Sequence, residues 1–183
     1  MAKPKHRSGR RSPGAAVDRV AAAFWRFSLV LYDRPGVAEA AIRLQDRHGL
    51  DVNLLLLCCF VGAAGQGALT RAELAQAERA VRGWRKGVVQ PLRALRRALK
   101  LPPLAAGDTA DGALRRQLLE AELFAEARAQ AMLAAWLAGR KRGVSGKVAA
   151  AVALSLERYA ACAVRLDRAD RAALELLATM ALA

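Results

Sequence analysis

The chain has 183 residues, enough for one domain with a real core and short for two. Hydrophobic residues make up 55% and charged residues 25%, which excludes a disordered composition, while only 5% are aromatic and Ala and Leu supply the apolar mass, which favours helix over sheet. The net charge of +14 points towards anionic partners, yet 24 of the 30 basic residues are arginine, a skew that a GC-rich genome produces without selection for binding, so position matters more than total.

Residues 1–14 (MAKPKHRSGRRSPG) hold five basic side chains, no acid, two prolines and two glycines, the pattern of a disordered basic arm. The pair Arg10-Arg11 does not make a secretion signal, because Pro13 follows and Arg26 interrupts the next apolar stretch. From Val17 the pattern turns helical, with Val20, Phe24, Phe27 and Leu31 on one face, and Pro35-Gly36 ends that helix. A second helix carries Val37, Ala40, Ala41 and Leu44 and closes near Gly49. The polar residues Asp46, His48, Asp51 and Asn53 that follow read as a helix junction rather than a metal or catalytic cluster. Gly49 suits a left-handed cap, Arg47 and His48 suit the negative end of the helix dipole, and Asp51 suits the N-cap of the next helix.

Leu54 to Val61 is apolar on every side, so the spacing predicts a helix at the centre of the core. The uninterrupted stretch, Leu54 to Gly65, covers only about 18 Å, too short for the ~30 Å of a bilayer core. Cys58, Cys59 and Cys162 lack metal-ligand spacing and are expected as free thiols in a reducing cytosol. Thr70 and Glu73 form a capping box, and Leu74, Ala77, Val81, Trp84, Val88, Leu92, Leu95 and Leu99 follow as the longest apolar stripe, with a kink or break expected before Pro91. Residues 101–112 are a linker by composition, Asp111 is expected to cap a helix over 113–138, and a basic loop from Gly139 to Lys147 precedes an Ala-rich helix running to about Leu166 and a final short helix.

The segments "FWRFSLVLYDRPGVAEA" from Phe24, "LQDRHGLDVNLLL" from Leu44 and "WRKGVVQPLRALRRALK" from Trp84 together resemble a family of small, mostly proteobacterial proteins that carries no assigned function. The resemblance spans about residues 20–100. It implies a cytoplasmic, all-helical protein and brings no catalytic or ligand-binding residues with it; beyond Leu101 little matches.

Signatures of enzyme chemistry are scarce. Two histidines, His6 and His48, give little material for a triad or a metal centre. The loop ending at Gly146-Lys147 lacks the first glycine of a phosphate loop, since Lys141 stands there, and Val148 replaces the magnesium-holding hydroxyl. Glu120, Glu122 and Glu126 come without the histidines of a di-iron site. No enzyme activity and no cofactor are expected.

The basic face is the best functional candidate. With residues 71–100 helical throughout, Arg79, Arg82, Lys86, Arg93, Arg97 and Lys100 project at ~80–140° from Leu74, almost opposite the apolar stripe. Residues 70–101 hold nine basic and two acidic side chains, a net +7. Two readings stand side by side: a solvated face enriched in arginine by genome composition, and a surface for an anionic partner. The expected fold is all-α, a single domain over residues 15–183 of five to seven helices around a central apolar helix. The leading function is a non-enzymatic binding protein that contacts RNA or a ribonucleoprotein surface. The alternative is a protein-interaction adaptor offering an apolar groove or dimer face through Trp25, Trp84 and the C-terminal helices.

Overall fold

A helix that is apolar all round is stable in water only when other helices cover every side of it. The computed structural model, which describes residues 13–100, 109–141, 147–161 and 165–183, meets that demand directly. Its elements are α1 (Pro13–Tyr32), α2 (Val37–His48), α3 (Val52–Ala63), α4 (Arg71–Trp84), a π-helical turn (Arg85–Val89) that continues into α5 (Gln90–Ala98), α6 (Thr109–Ala138), α7 (Val148–Ala160) and α8 (Arg168–Met180). Counting α4, the π turn and α5 as one rod, the described residues form seven helical rods and no strand, the all-α single domain expected. The arm through residue 12 with His6, the linker at 101–108, residues 142–146 of the basic loop and Cys162 lie outside the described residues.

α3 is the centre. Leu54, Leu55, Leu57, Cys58, Cys59 and Val61 are fully buried, and α3 touches α1, α2, α4, α6 and α7. Burial pushes the Cys59 thiol up to about 12 and raises Cys58 well above its ordinary value, so both stay protonated, unreactive core groups. Around this centre α1 packs along α6 and α2 along α8. The junction before α3 forms as its residues dictate. Gly49 takes the left-handed conformation (φ 68°) that an L side chain resists, and the Asp51 carboxylate accepts from the Asn53 amide at 2.8 Å. Some boundaries differ from expectation. α6 starts at Thr109, two residues before the Asp111 expected to cap it, and α7 stops at Ala160 rather than near Leu166.

α8 is fastened by charge at its first turn. Asp167 and Asp170 form a capping box there, and α2 aims Arg43, Arg47 and His48 at the pair. His48 Nε2 lies 2.8 Å from Asp170 Oδ2, and Arg43 Nε donates to Oδ1 at 2.9 Å. Burial alone would raise the Asp170 carboxyl. The Asp167 amide, His48 and the two guanidiniums outweigh it and hold the group well below the usual carboxylate range. A depressed native pKa contributes stability that is complete above the ordinary value of ~3.9 and is lost as pH falls towards the native value. Asp170→Asn is therefore expected to melt well below wild type at pH 7, with the gap narrowing below about pH 4 as wild type loses the same interaction. Melting curves between neutral pH and the acid limb check this.

The tightest approach is between α3 and α7. A Cβ added at Gly62 would sit 2.5 Å from Val152 Cγ2 and 2.7 Å from the Val152 backbone nitrogen. Ala favours a helix over Gly by ~1 kcal/mol. Forcing two packed helices apart costs ~1–3 kcal/mol or more, because backbone cannot swing aside as a side chain can. Gly62→Ala is thus expected to lower the melting temperature despite its better propensity, and calorimetry checks the sign.

Candidate anion-binding face and the polar network beneath it

The rod from Arg71 to Ala98 carries the expected basic face, and its start is built as the sequence specifies. Thr70 Oγ1 accepts from the Glu73 amide while the Glu73 carboxylate accepts from the Thr70 amide. Leu74, Ala77 and Val81 turn inward. Trp84 closes α4, its indole Nε1 donating to the Ala125 carbonyl of α6 at 2.8 Å. The indole N–H is thereby committed to a contact inside the fold, while the residue as a whole stays half-buried.

The regular stripe ends at the π turn. There the amide of Gln90 bonds back to the carbonyl of Arg85, five residues rather than four, just ahead of Pro91 where an irregularity was expected. A wider turn sets the residues after it back by about one position on the helix surface. Val89 is buried where the uninterrupted spacing places Val88, Arg96 takes the inward position of Leu95, and Arg93 turns inward beside Leu92, which stays half-buried. Leu95 is left 48% exposed, while Leu99 at the end of the rod stays buried.

The six cations are thereby divided. Arg79, Arg82, Lys86, Arg97 and Lys100 are exposed; Arg93 does not project with them, and that part of the expectation is corrected. Arg93 Nε donates to Glu122 Oε1 at 3.0 Å, and its terminal nitrogens reach Glu126 and Gln45. Arg96 Nε donates to Glu122 Oε2 at 2.6 Å. Of the exposed five, Arg97 meets Asp46 at 3.1 Å and Arg82 meets Glu78 at 3.8 Å. No carboxylate among the described residues is within ion-pair distance of Arg79, Lys86 or Lys100. Arg71, the first residue of α4 and about two turns before Arg79, is exposed as well. Arg140 of the basic loop is turned inward onto Glu73 at 2.6 Å and the Gln66 carbonyl.

Beneath the rod the inward arginines belong to a continuous polar network. Arg85, at the start of the π turn, pairs with Asp51 at 3.2 Å, and the Asp51 amide donates to the Tyr159 hydroxyl at 2.8 Å. Asn53 donates to Glu126 and accepts from Gln130 at 3.0 Å. Burial tends to raise Glu122, but Arg96 and Arg93 outweigh it and keep its carboxyl below the ordinary range. Glu126 is raised by burial against the opposing pull of Asn53 and Arg93. Asp46, His48, Asp51 and Asn53 thus go to separate partners, Arg97, Asp170, Arg85 and Glu126, and do not converge on one point.

The family model "Protein of unknown function (DUF2390)" matches residues 23–133. The chain belongs to this family. No curated protein and no solved structure matches it. The DUF2390 segment runs past the expected end near residue 100 and takes in most of α6. Both faces of the rod, Glu122, Glu126 and Gln130 therefore lie inside it, while Tyr159 and Asp170 lie outside. No helix among the described residues is long and apolar enough to cross a membrane.

Sequence reading missed Arg85, Arg96, Glu122, Glu126 and Gln130 as one constellation. A signal existed: Glu122, Glu126 and Gln130 recur every four residues, one polar stripe along α6. What turns Arg93 and Arg96 to meet it is the π turn, which spacing does not reveal. Arg93→Glu would set a carboxylate against Glu122 and Glu126 and is expected to cost ~3–5 kcal/mol, as removal of one partner from a buried pair does. Arg97→Glu, breaking an exposed pair, is expected to stay within ~1 kcal/mol. Denaturant titration of the two variants separates the inward from the outward arginine.

Proposed function

We propose that this protein is a non-enzymatic, cytoplasmic binding protein that engages RNA or a ribonucleoprotein surface through the outer face of α4 and the π turn. The observation that carries this reading is the exposed row Arg71, Arg79, Arg82 and Lys86. At ~100° per residue the first three fall within ~80° of one another, and Lys86 follows Arg82 one turn on. The row extends over ~22 Å of helix, with Glu78 as the one carboxylate paired to it among the described residues. Exposed guanidinium and ammonium groups in a row contact phosphates without reading sequence. The cytoplasmic assignment rests on the free thiols of Cys58 and Cys59. The non-enzymatic assignment rests on the engagement of the histidine and of the buried carboxylates with one another's partners, which leaves them as structural groups.

Binding to generic RNA and DNA over a range of salt tests it. Four phosphate contacts give a slope of log K against log salt of about −3 on a single strand, at ~0.7 per contact. Changing Arg71, Arg79, Arg82 and Lys86 together to Glu is expected to abolish that binding. The fold should hold, because exposed charges contribute ~0–1 kcal/mol each and an acidic residue suits the first turn of α4. No binding by the wild type at low salt, or equal binding by the variant, overturns the proposal.

A second reading, a protein-interaction adaptor, is favoured by a separate observation. Leu119, Leu123 and Phe124 on α6 are exposed, Phe124 by 76%. A protein partner that survives nuclease treatment in a pull-down, and is lost on Phe124→Ser, would favour this reading over the first.

A further inference from the structure

Below the rod, α1, α2, α3, α5 and α6 enclose a cavity of about 230 Å³. Its mouth is apolar, formed by Trp25 and Leu29 of α1, Ile42 of α2, and Leu119 and Leu123 of α6. Leu29 and Leu123 are 52% and 51% exposed, an unusual outlay of large apolar side chains around one opening. The interior is polar, and its polarity has a definite direction. A carboxylate only accepts, so the Glu126 carboxylate fixes the Asn53 amide nitrogen towards itself. Asn53 Oδ1 must then accept, and Gln130 Nε2 donates to it at 3.0 Å. The chain ends on Gln130 Oε1, an acceptor with no partner among the described residues. Ser28 Oγ, from α1, is unpartnered too. Both residues are only 3% exposed, and both line this cavity. Buried polar atoms are rarely left without partners, and here two residues lining one cavity carry them, so a small turn of either side chain brings an unmet hydrogen bond to whatever fills it.

The chemistry of the occupant follows from what the walls lack. Arg93 and Arg96 already hold Glu122 and Glu126, and Arg97, which also lines the cavity, holds Asp46, so no unpaired charge faces the cavity and the occupant is neutral. A cavity of ~150 Å³ accommodates benzene, and this one is larger, with an indole at its mouth to stack on. Gln130 Oε1 requires a donor, whereas the Ser28 hydroxyl takes either role. We propose that the cavity binds a small, neutral, ring-bearing molecule whose O–H or N–H donates to Gln130 Oε1 and whose polar head also bonds Ser28, with its ring held among Trp25, Leu29 and Leu123. This inference is independent of the basic face, which lies on the exposed side of the rod.

The test is a nuclear magnetic resonance titration of the full chain with phenol and with indole, set against toluene, benzoate and benzylammonium. Phenol and indole are expected to bind saturably and shift the Trp25 indole resonance, with toluene and the two ions at least tenfold weaker. Ser28→Ala and Gln130→Met should each weaken phenol by about tenfold. Ser28→Ala should melt no lower than wild type, since it removes an unpaired buried hydroxyl, and it carries the test alone if Gln130→Met fails to fold. Phe124→Ser, outside the cavity, should leave phenol affinity unchanged; a loss there would place the ligand on the outer strip of α6 and overturn the proposal. So would an absence of saturable phenol binding, toluene or benzoate binding as tightly as phenol, or unchanged phenol affinity in Ser28→Ala. If the two orphan atoms merely hold water, phenol will not saturate and the proposal falls.

Discussion

α3 has no face to give to water, and the rest of the architecture follows from covering it. Eight consecutive apolar residues, Leu54 to Val61, present side chains through every angle of the helix, so a partner is needed in every direction. α1, α2, α4, α6 and α7 supply those partners. Where the approach is closest, at Val152, the helix gives up its side chain altogether and carries Gly62. The exchange is a local one: helix propensity is lost at one residue so that the longest buried contact of the central helix can close. α8 reaches the same core with Leu174 and Leu177, and its first turn is fastened to α2 by a second force, the convergence of Arg43, Arg47 and His48 on Asp167 and Asp170.

Burying a helix along its whole length also buries its ends, and the ends are polar. The N-terminus of α3 has amides without helical partners; the Asp51 carboxylate accepts from that of Asn53, and both residues become buried. A buried carboxylate next needs its own partner, which is Arg85, and a buried amide needs both a donor and an acceptor, which are Gln130 and Glu126. Glu126 in turn needs Arg93. The network beneath the rod is the chain of these obligations. The π turn makes it possible, because without the extra residue between Trp84 and Gln90 the spacing would aim Leu92 and Leu95 at the carboxylates and Arg93 at solvent. A helix irregularity costs some backbone regularity, and here it is retained where it delivers two guanidiniums to two glutamates.

This explains what the sequence could and could not reveal. The central helix, the capping box at Thr70, the left-handed turn at Gly49 and the N-cap at Asp51 are all local, decided by residues within a few positions of one another, and all were legible. The arrangement of Arg93 was not, because its orientation depends on a change of helical period five residues earlier that no residue type announces. Trp84 was legible only in part for a similar reason: its place at the end of an apolar stripe could be read, whereas the bond from its indole to the Ala125 carbonyl of α6 could not. The roles of Asp46, His48, Asp51 and Asn53 were half legible. Their local duties at the helix junction could be read, whereas their partners, Arg97, Asp170, Arg85 and Glu126, are 34 to 122 positions away.

The same division decides how the positive charge of this chain should be understood. A net charge of +14 is one number, but the cations behind it do two unlike jobs. Arg43, Arg85, Arg93, Arg96 and Arg140 are held by carboxylates and act as cross-braces; replacing Arg43, Arg93, Arg96 or Arg140 by lysine would lose the fork that reaches two acceptors at once. For these residues arginine is required by geometry, so genome composition is not needed to explain them. Arg71, Arg79 and Lys86 brace nothing among the described residues. Removing the cross-braces from the tally leaves exposed cations on other helices too, Arg26, Arg115, Arg128 and Arg171 among them, so what sets the α4 rod apart is that Arg71, Arg79, Arg82 and Lys86 follow one another along one side of it. A charge that does no structural work yet remains aligned with its neighbours is the form in which a binding surface is recognised, and it is on that row, rather than on the sum, that the anion-binding reading stands.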